Sequence, residues 1–304
     1  MSSPYGGSPT LVIPALIFLL AGCGGPREVT STADSDAVAG ATSAVANIAP
    51  LPLDPNVRYG TLENGLTWYV RYNQRPEDHA ELRLAINAGS ILEDDDQLGL
   101  AHVVEHMAFN GTERFEKQEL IDYLETTGVR FGADLNAYTS FDETVYQLQV
   151  RTDSMELFDT GVDVLREWSS RVAFDSDEID AERGVVTEEW RLGRGAAARI
   201  RDQQLPVLLY GSRYPDRLPI GTPESLAGFA HESLIRYYRD WYRPDLAAIM
   251  IVGDVDPDYA EQRIREAFSD WQPVEEPRER VEFEVPNHDE TLVKSITDDE
   301  APYS

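Results

Sequence analysis

The sequence predicts an α+β domain, a mostly antiparallel sheet backed by helices, on three observations. Short β-rich runs alternate apolar and polar side chains, longer runs carry apolar side chains at helical spacing, and turn residues separate the two kinds. Leu66 to Tyr72 and Glu81 to Ala88 are the first two strands, set off by Glu63-Asn64-Gly65 and Gly89-Ser90. Gln97 to Phe109 places Leu98, Ala101 and Val104 on one helical face and stops at Asn110-Gly111, a good C-terminal signal. Lys117 to Thr127 is a second short helix ending at Gly128. Thr144 to Val150 alternates as a third strand, and an amphipathic helix follows from about Ser154 to Val172. Ser176 to at least Leu192 reads as helix, with Asp177 and Glu178 at its positive end. Ala247 to Val252 is the last strand and closes the domain, and a helix from Tyr259 to Trp271 packs on it.

Composition bounds the rest. A chain of 304 residues with 42% hydrophobic and 27% charged residues can bury a sizeable core and has room for roughly two domains. That excludes wholesale disorder, a fibre and a multi-span membrane protein. Lys and Arg total 26 against 55 Asp and Glu, a net charge of -29, so the surface field repels polyanions and no nucleic-acid partner is expected. Cys23 is the single cysteine, which excludes a disulfide framework, a Cys-based zinc finger and an iron-sulfur site. Any metal must be held by His, Asp or Glu.

Leu11 to Gly22 is an apolar run of twelve residues, too short to span a bilayer as a helix, and it ends in Leu20-Ala21-Gly22-Cys23. It resembles a bacterial lipoprotein signal, in which the peptide is cut before the cysteine and the new N-terminal residue carries lipid. Met1 to Thr10 departs from that pattern in having no Lys or Arg. An ordinary secretory signal or a buried apolar segment with a chance cysteine are the alternatives. The resemblance implies a signal peptide over 1–22, lipidation at Cys23, and a location in the bacterial cell envelope, periplasmic or outer-membrane associated. Residues 24–50 hold almost no large apolar side chain, a composition that cannot repay its ordering entropy, so 23–56 is expected to be a flexible tether.

Chemistry concentrates in His102-Val103-Val104-Glu105-His106. On a helix the two imidazoles lie one turn apart on one face, about 6 Å between Cβ atoms, which suits capture of one ion. Glu105 reaches the same region and brings a carboxylate beside the metal. Histidines at this spacing are common without a metal. Here, however, Leu100, Ala101, Val103, Val104 and Met107 put the helix in a core, where two His and a Glu are costly without a partner. A hydrolytic zinc site takes three protein ligands and a water, so one more donor is needed. Glu182 to Arg191 is the best source: Glu182 and Glu189 are seven residues apart and share a helix face, with Glu188 rotated about 100° from Glu189. From spacing alone, a solvated acidic helix explains this segment equally well.

These residues resemble the inverted zinc motif of the pitrilysin, or insulinase-like, metallopeptidases. The resemblance extends through Gly89-Ser90, Glu93, Met107 to Thr112, Asn136-Ala137-Tyr138-Thr139-Ser140, Glu182 to Arg191, Pro219 to Glu224, Trp241 to Pro244 and Val252-Gly253-Asp254. It covers the chain from about Val57 to the C terminus. It implies a zinc-dependent metalloendopeptidase acting on peptides or small unfolded proteins. One zinc ion is held by His102, His106 and Glu189, with Glu188 the alternative third ligand. Glu105 is the general base that activates water, and Glu182 supports the site without touching the metal. Asn136, Ala137 and Tyr138 form a segment that pairs with an extended substrate; otherwise they are simply a strand edge. Family members are clamshells of two homologous halves. The resemblance therefore implies a catalytic domain over 57–284, the start of a second homologous domain over 285–304, and a C-terminal half supplied by a longer chain or a partner subunit. A scaffold or processing partner of the same fold is the non-enzymatic alternative.

Overall fold

Six strands carry the domain: β1 (Val57–Thr61), β2 (Thr67–Tyr72), β3 (His79–Ile86), β4 (Leu135–Thr139), β5 (Thr144–Arg151) and β6 (Ala247–Gly253). They form one sheet in the order β1-β2-β6-β3-β5-β4. Every neighbouring pair is antiparallel except β2 with β6. The helices are α1 (Leu100–Met107), α2 (Glu119–Thr126), α3 (Met155–Ser170), α4 (Ser176–Leu192), α5 (Ala196–Leu208), α6 (Pro223–Gly228), α7 (His231–Trp241) and α8 (Pro257–Phe268). The computed structural model describes residues 52–117 and 119–301. The expected signal segment 1–22, Cys23 and most of the tether lie outside the described residues.

Alternation in the strands selects the covered face. On β3, Ala80, Leu82, Leu84 and Ile86 are buried while Glu81, Arg83 and Ala85 lie on the opposite, half-exposed face. Helices α3, α8 and α1 pack against the sheet, and α7 and α4 pack against α1. Each fully buried aliphatic side chain contributes about 1.5–3 kcal/mol relative to an exposed one. An aromatic cluster joins sheet to helix: Trp168 of α3 stacks on Tyr146 of β5 at 5.3 Å and meets Phe109 just beyond α1 at 5.2 Å.

The mixed, mostly antiparallel sheet backed by helices agrees with the sequence reading. β6 is the exception to the simple picture, because it lies between β2 and β3, at the centre of the sheet. β1, α5, α6 and α7 were not anticipated: β1 is five residues with a broken pattern, and α5 buries no residue. α1 begins at Leu100, later than the expected Gln97, because Gly99 takes φ +88 and cannot be a helical residue. Its Cα faces Gly221, φ +71, so closely that a Cβ on either would lie under 3 Å from the other's backbone. Both glycines are required by that contact. From Gln272 to Ala301 the chain has no helix or strand. Asp298 of this segment is paired with Arg199 of α5 at 2.7 Å. No helix among the described residues is long and apolar enough to cross a membrane.

Candidate metal centre

α1 is amphipathic in an unusual sense. Leu100, Ala101, Val103, Val104 and Met107 are at most 1% exposed, which fixes the helix rotation and turns His102, Glu105 and His106 into a cleft. α4 lies across from it. Asp175 caps α4 by accepting from the amides of Asp177 and Glu178, and burial of Ile179, Glu182 and Val186 sets its rotation. That rotation directs Glu182 and Glu189 at α1 and leaves Glu188 to pair with Arg191, Nε to Oε2 2.8 Å.

Three donors converge. His102 Nε2 and His106 Nε2 are 3.2 Å apart, and Glu189 Oε2 lies 3.8 Å and 3.5 Å from them. Ligand atoms of His102, His106 and Glu189 all fall within 4.8 Å of one another. Behind them His106 Nδ1 donates to Glu182 Oε1 at 2.7 Å, and Asn110 Nδ2 donates to Glu182 Oε2 at 2.6 Å. Glu105 Oε2 accepts from Thr139 Oγ1 at 2.6 Å.

The two imidazoles are driven apart electrostatically. Burial, helped by the charge on His106, pushes His102 down to about 3, so it is neutral with a free lone pair. Burial also works against protonation of His106, but the hydrogen bond to Glu182 and the carboxylates of Glu182, Glu105 and Glu189 outweigh it and raise its pKa. His106 is therefore the more readily protonated of the two, and its Nε2 faces His102 Nε2 across 3.2 Å. A cation among these atoms meets two imidazole nitrogens and one carboxylate oxygen, a donor set that suits zinc. His102 Nδ1 is buried without a hydrogen-bond partner among the described residues. Burial raises the Glu105 carboxyl, with Glu189 adding to it, against the pull of Thr139 and His106.

The cleft has a volume of about 640 Å³. Phe109, Phe131, Val185, Pro219 and Ile220 give it apolar walls. A shallow apolar groove of about 940 Å³ runs on from it along α4 and shares Val185, Glu189 and Ile220. Asn136, Ala137 and Tyr138 border the cleft as part of β4, the last strand of the sheet. By alternation Ala137 and Thr139 point to the α1 side, whereas Asn136 and Tyr138 are exposed on the other face. The strand therefore offers the cleft its backbone edge more than these two side chains. Asn136 Oδ1 accepts from the Ala137 amide at 2.9 Å, and Tyr138 donates to Glu143.

Asn110 and Thr139 had no role assigned from sequence. A single Asn or Thr carries no periodicity; the available signals were the position of Asn110 at the end of the histidine helix and of Thr139 two residues beyond Ala137 on one strand face.

Comparison with known proteins accords with this geometry. Residues 69–203 match the insulinase (peptidase family M16) domain, and residues 228–303 match the peptidase M16 inactive domain. The chain is 37% identical over 249 residues to "Probable zinc protease PqqL" of Haemophilus influenzae, covering 82% of this chain and 27% of that protein. It is 40% identical over 221 residues to the Escherichia coli protein of the same name, covering 73% and 24%. The crystal structure of the periplasmic protease PqqL from Escherichia coli superposes with a TM-score of 0.74 at 38% identity, over 79% of this chain and 26% of that one. The chain thus spans about a quarter of the length of these relatives. A sheet of this order, a histidine-bearing α1 facing α4, and these matches together assign the chain to the insulinase (M16) family of peptidases.

Proposed function

We propose that this chain carries the metal-bearing catalytic domain of a zinc-dependent endopeptidase of the bacterial cell envelope. The observation that carries the proposal is the convergence of His102, His106 and Glu189 donor atoms within 4.8 Å on a cleft that Glu105 also lines. In this reading those three residues hold one zinc ion, and Glu182 fixes the His106 ring by accepting from Nδ1. Zinc, when bound, polarises the scissile carbonyl and brings the pKa of water toward neutrality. Glu105 takes the proton of the attacking water and returns it to the leaving amine, and its raised pKa suits both halves of that task. Thr139 orients the Glu105 carboxylate. The free edge of β4 at Ala137 and Thr139 pairs with an extended peptide, with Asn136 Oδ1 yielding the Ala137 amide to a substrate carbonyl.

The rest of the reading extends the family resemblance. A catalytic domain over 57–284, the start of a homologous domain over 285–304, and a C-terminal half in the same longer chain or a partner complete the clamshell. A periplasmic location is supported by the description of the PqqL structure as a periplasmic protease. Removal of residues 1–22 and lipidation of Cys23 complete the envelope reading. Mass spectrometry of the mature N terminus tests them: a modified Cys23 is expected, and an unmodified start elsewhere removes the anchor.

The test of function compares hydrolysis of an unstructured peptide by this chain alone and with the C-terminal half, under equal zinc. The lone chain is expected to bind zinc and cleave poorly, because losing even one oxyanion donor costs about 10²–10³ in rate. Hydrolysis that survives a chelator overturns the zinc reading.

A further inference from the structure

The carboxylate of Glu93 stands outside the metal cluster and outside the proposed mechanism, yet it is fully buried. It lies seven residues before the start of α1 and turns back onto the helix: Oε2 accepts from the Gly99 amide at 3.0 Å and Oε1 from the Ala101 amide at 2.9 Å. Gly99 has no side chain with which to cap the helix, and its φ of +88 and its contact with Gly221 leave no room for a residue that has one. Glu93 therefore supplies from a distance what an N-cap Ser or Asp supplies locally. Burial raises its pKa to about 8, against the pull of the two amides and of Arg217 and Arg213, so it is the geometry of its two oxygens rather than a fixed charge that caps the helix.

The same residue ties α1 to the cleft wall. The Glu93 carbonyl accepts from Arg217 Nε at 3.1 Å and from Arg213. Ser90 Oγ in turn donates to the Arg217 carbonyl at 2.6 Å. Arg217 begins the segment that runs through Pro219 and Ile220, which line the cleft, to Gly221 against Gly99. Gly99 and Ala101, whose amides Glu93 holds, are three and one residues before His102.

We propose that Glu93 is a positioning residue for the metal centre: it fixes the first turn of α1, and with it His102, against the Arg217–Gly221 wall. The inference rests on the zinc reading above. Because each carboxylate oxygen accepts one amide, an isosteric Gln must turn its NH₂ group toward one of two buried N–H donors. That loosens the first turn without removing a metal ligand.

The test uses the full-length enzyme with Glu93→Gln. Zinc affinity measured by competition with a chelator should fall about 10–100-fold, the usual cost of losing a group that orients metal ligands. At saturating zinc, kcat should fall while KM stays within about twofold, the pattern of a disturbed reaction centre rather than of lost substrate contacts. The cobalt-substituted variant should show an altered visible absorption band. Ile264→Ala on α8, which packs on β2 and α3, serves as a control that lowers stability elsewhere. If the control weakens zinc binding as much as Glu93→Gln, the role of Glu93 is purely structural and the proposal is overturned. Unchanged affinity and cobalt spectrum in a folded Glu93→Gln overturn it as well. If the Gln variant does not fold, Glu93→Asp keeps the carboxyl group but is one methylene short of serving both amides, and is held to the same outcomes. Wild-type enzyme that binds no zinc refutes the metal reading itself, which separates the two failures.

Discussion

Replacing Glu182 by Gln probes the metal site without touching a proposed ligand. Glu182 receives two donors at once, His106 Nδ1 on Oε1 at 2.7 Å and Asn110 Nδ2 on Oε2 at 2.6 Å. A glutamine presents one carbonyl oxygen and one NH₂ group, so one of the two contacts becomes donor against donor. If the carbonyl faces Asn110, the His106 ring loses its orienting acceptor; if it faces His106, a neutral acceptor replaces a charged one. Either way a charge-assisted hydrogen bond worth about 1.5–3 kcal/mol is lost. At about 1.4 kcal/mol per decade that is roughly a 10–100-fold weaker zinc complex. The assay is competition with a chromogenic chelator at fixed pH, alongside thermal unfolding of the metal-free protein to check that the fold persists. Zinc affinity within about twofold of wild type in a folded Glu182→Gln protein would refute the reasoning, because it would mean that His106 needs no orienting partner.

Three further predictions follow from the same geometry. Glu105→Gln keeps the side-chain volume and the Thr139 contact but removes the base; the full-length variant should retain stoichiometric zinc while hydrolysis falls at least about 100-fold, and undiminished turnover would exclude Glu105 from the chemistry. His106 has a raised pKa in the metal-free protein, so the stability from its pair with Glu182 is fully present below the unfolded value of 6.5 and is lost as pH rises through the raised folded value. Zinc must displace that proton, so in the same window binding should release about one proton and tighten with pH; calorimetry in buffers of different ionisation heat reads this, and pH-independent binding contradicts it. Trp168→Ala should destabilise the domain by about 3–5 kcal/mol in urea titration, since Trp168 is fully buried against Tyr146 and Phe109, and a loss below about 1 kcal/mol would show that the cluster repacks freely.

Much of the centre was legible because it is local. Four residues separate His102 from His106, and an apolar back of Val103, Val104 and Met107 tells which way the helix faces; both facts belong to one helical turn and need no partner. The seven-residue spacing of Glu182 and Glu189 was equally visible, and the helices and strands named from the sequence lie within a few residues of their expected ends, while β1, α5, α6 and α7 were missed. Strand order was not, because neighbours in a sheet are chosen by pairing across the fold rather than along the chain. β6 is last in sequence and central in the sheet, so β2 and β3 gain a common neighbour only when residues 247–253 insert between them.

Local pattern along the chain was thus enough for the fold class, the helix that carries two histidines and a glutamate, and the candidate donors on a second helix. Which of those donors meet depends on how the two helices pack. Burial of Ile179, Glu182 and Val186 rotates α4 so that Glu189 faces the histidines while Glu188 pairs with Arg191. The packing of α1 against β4 brings Thr139 to Glu105 across 34 residues. The turn after the 3-10 segment Ser90–Leu92 folds Glu93 back onto the amides of Gly99 and Ala101. Each of these contacts joins segments whose separation in sequence carries no period, and each is chosen by how apolar faces pack, which a pattern read along one chain does not encode.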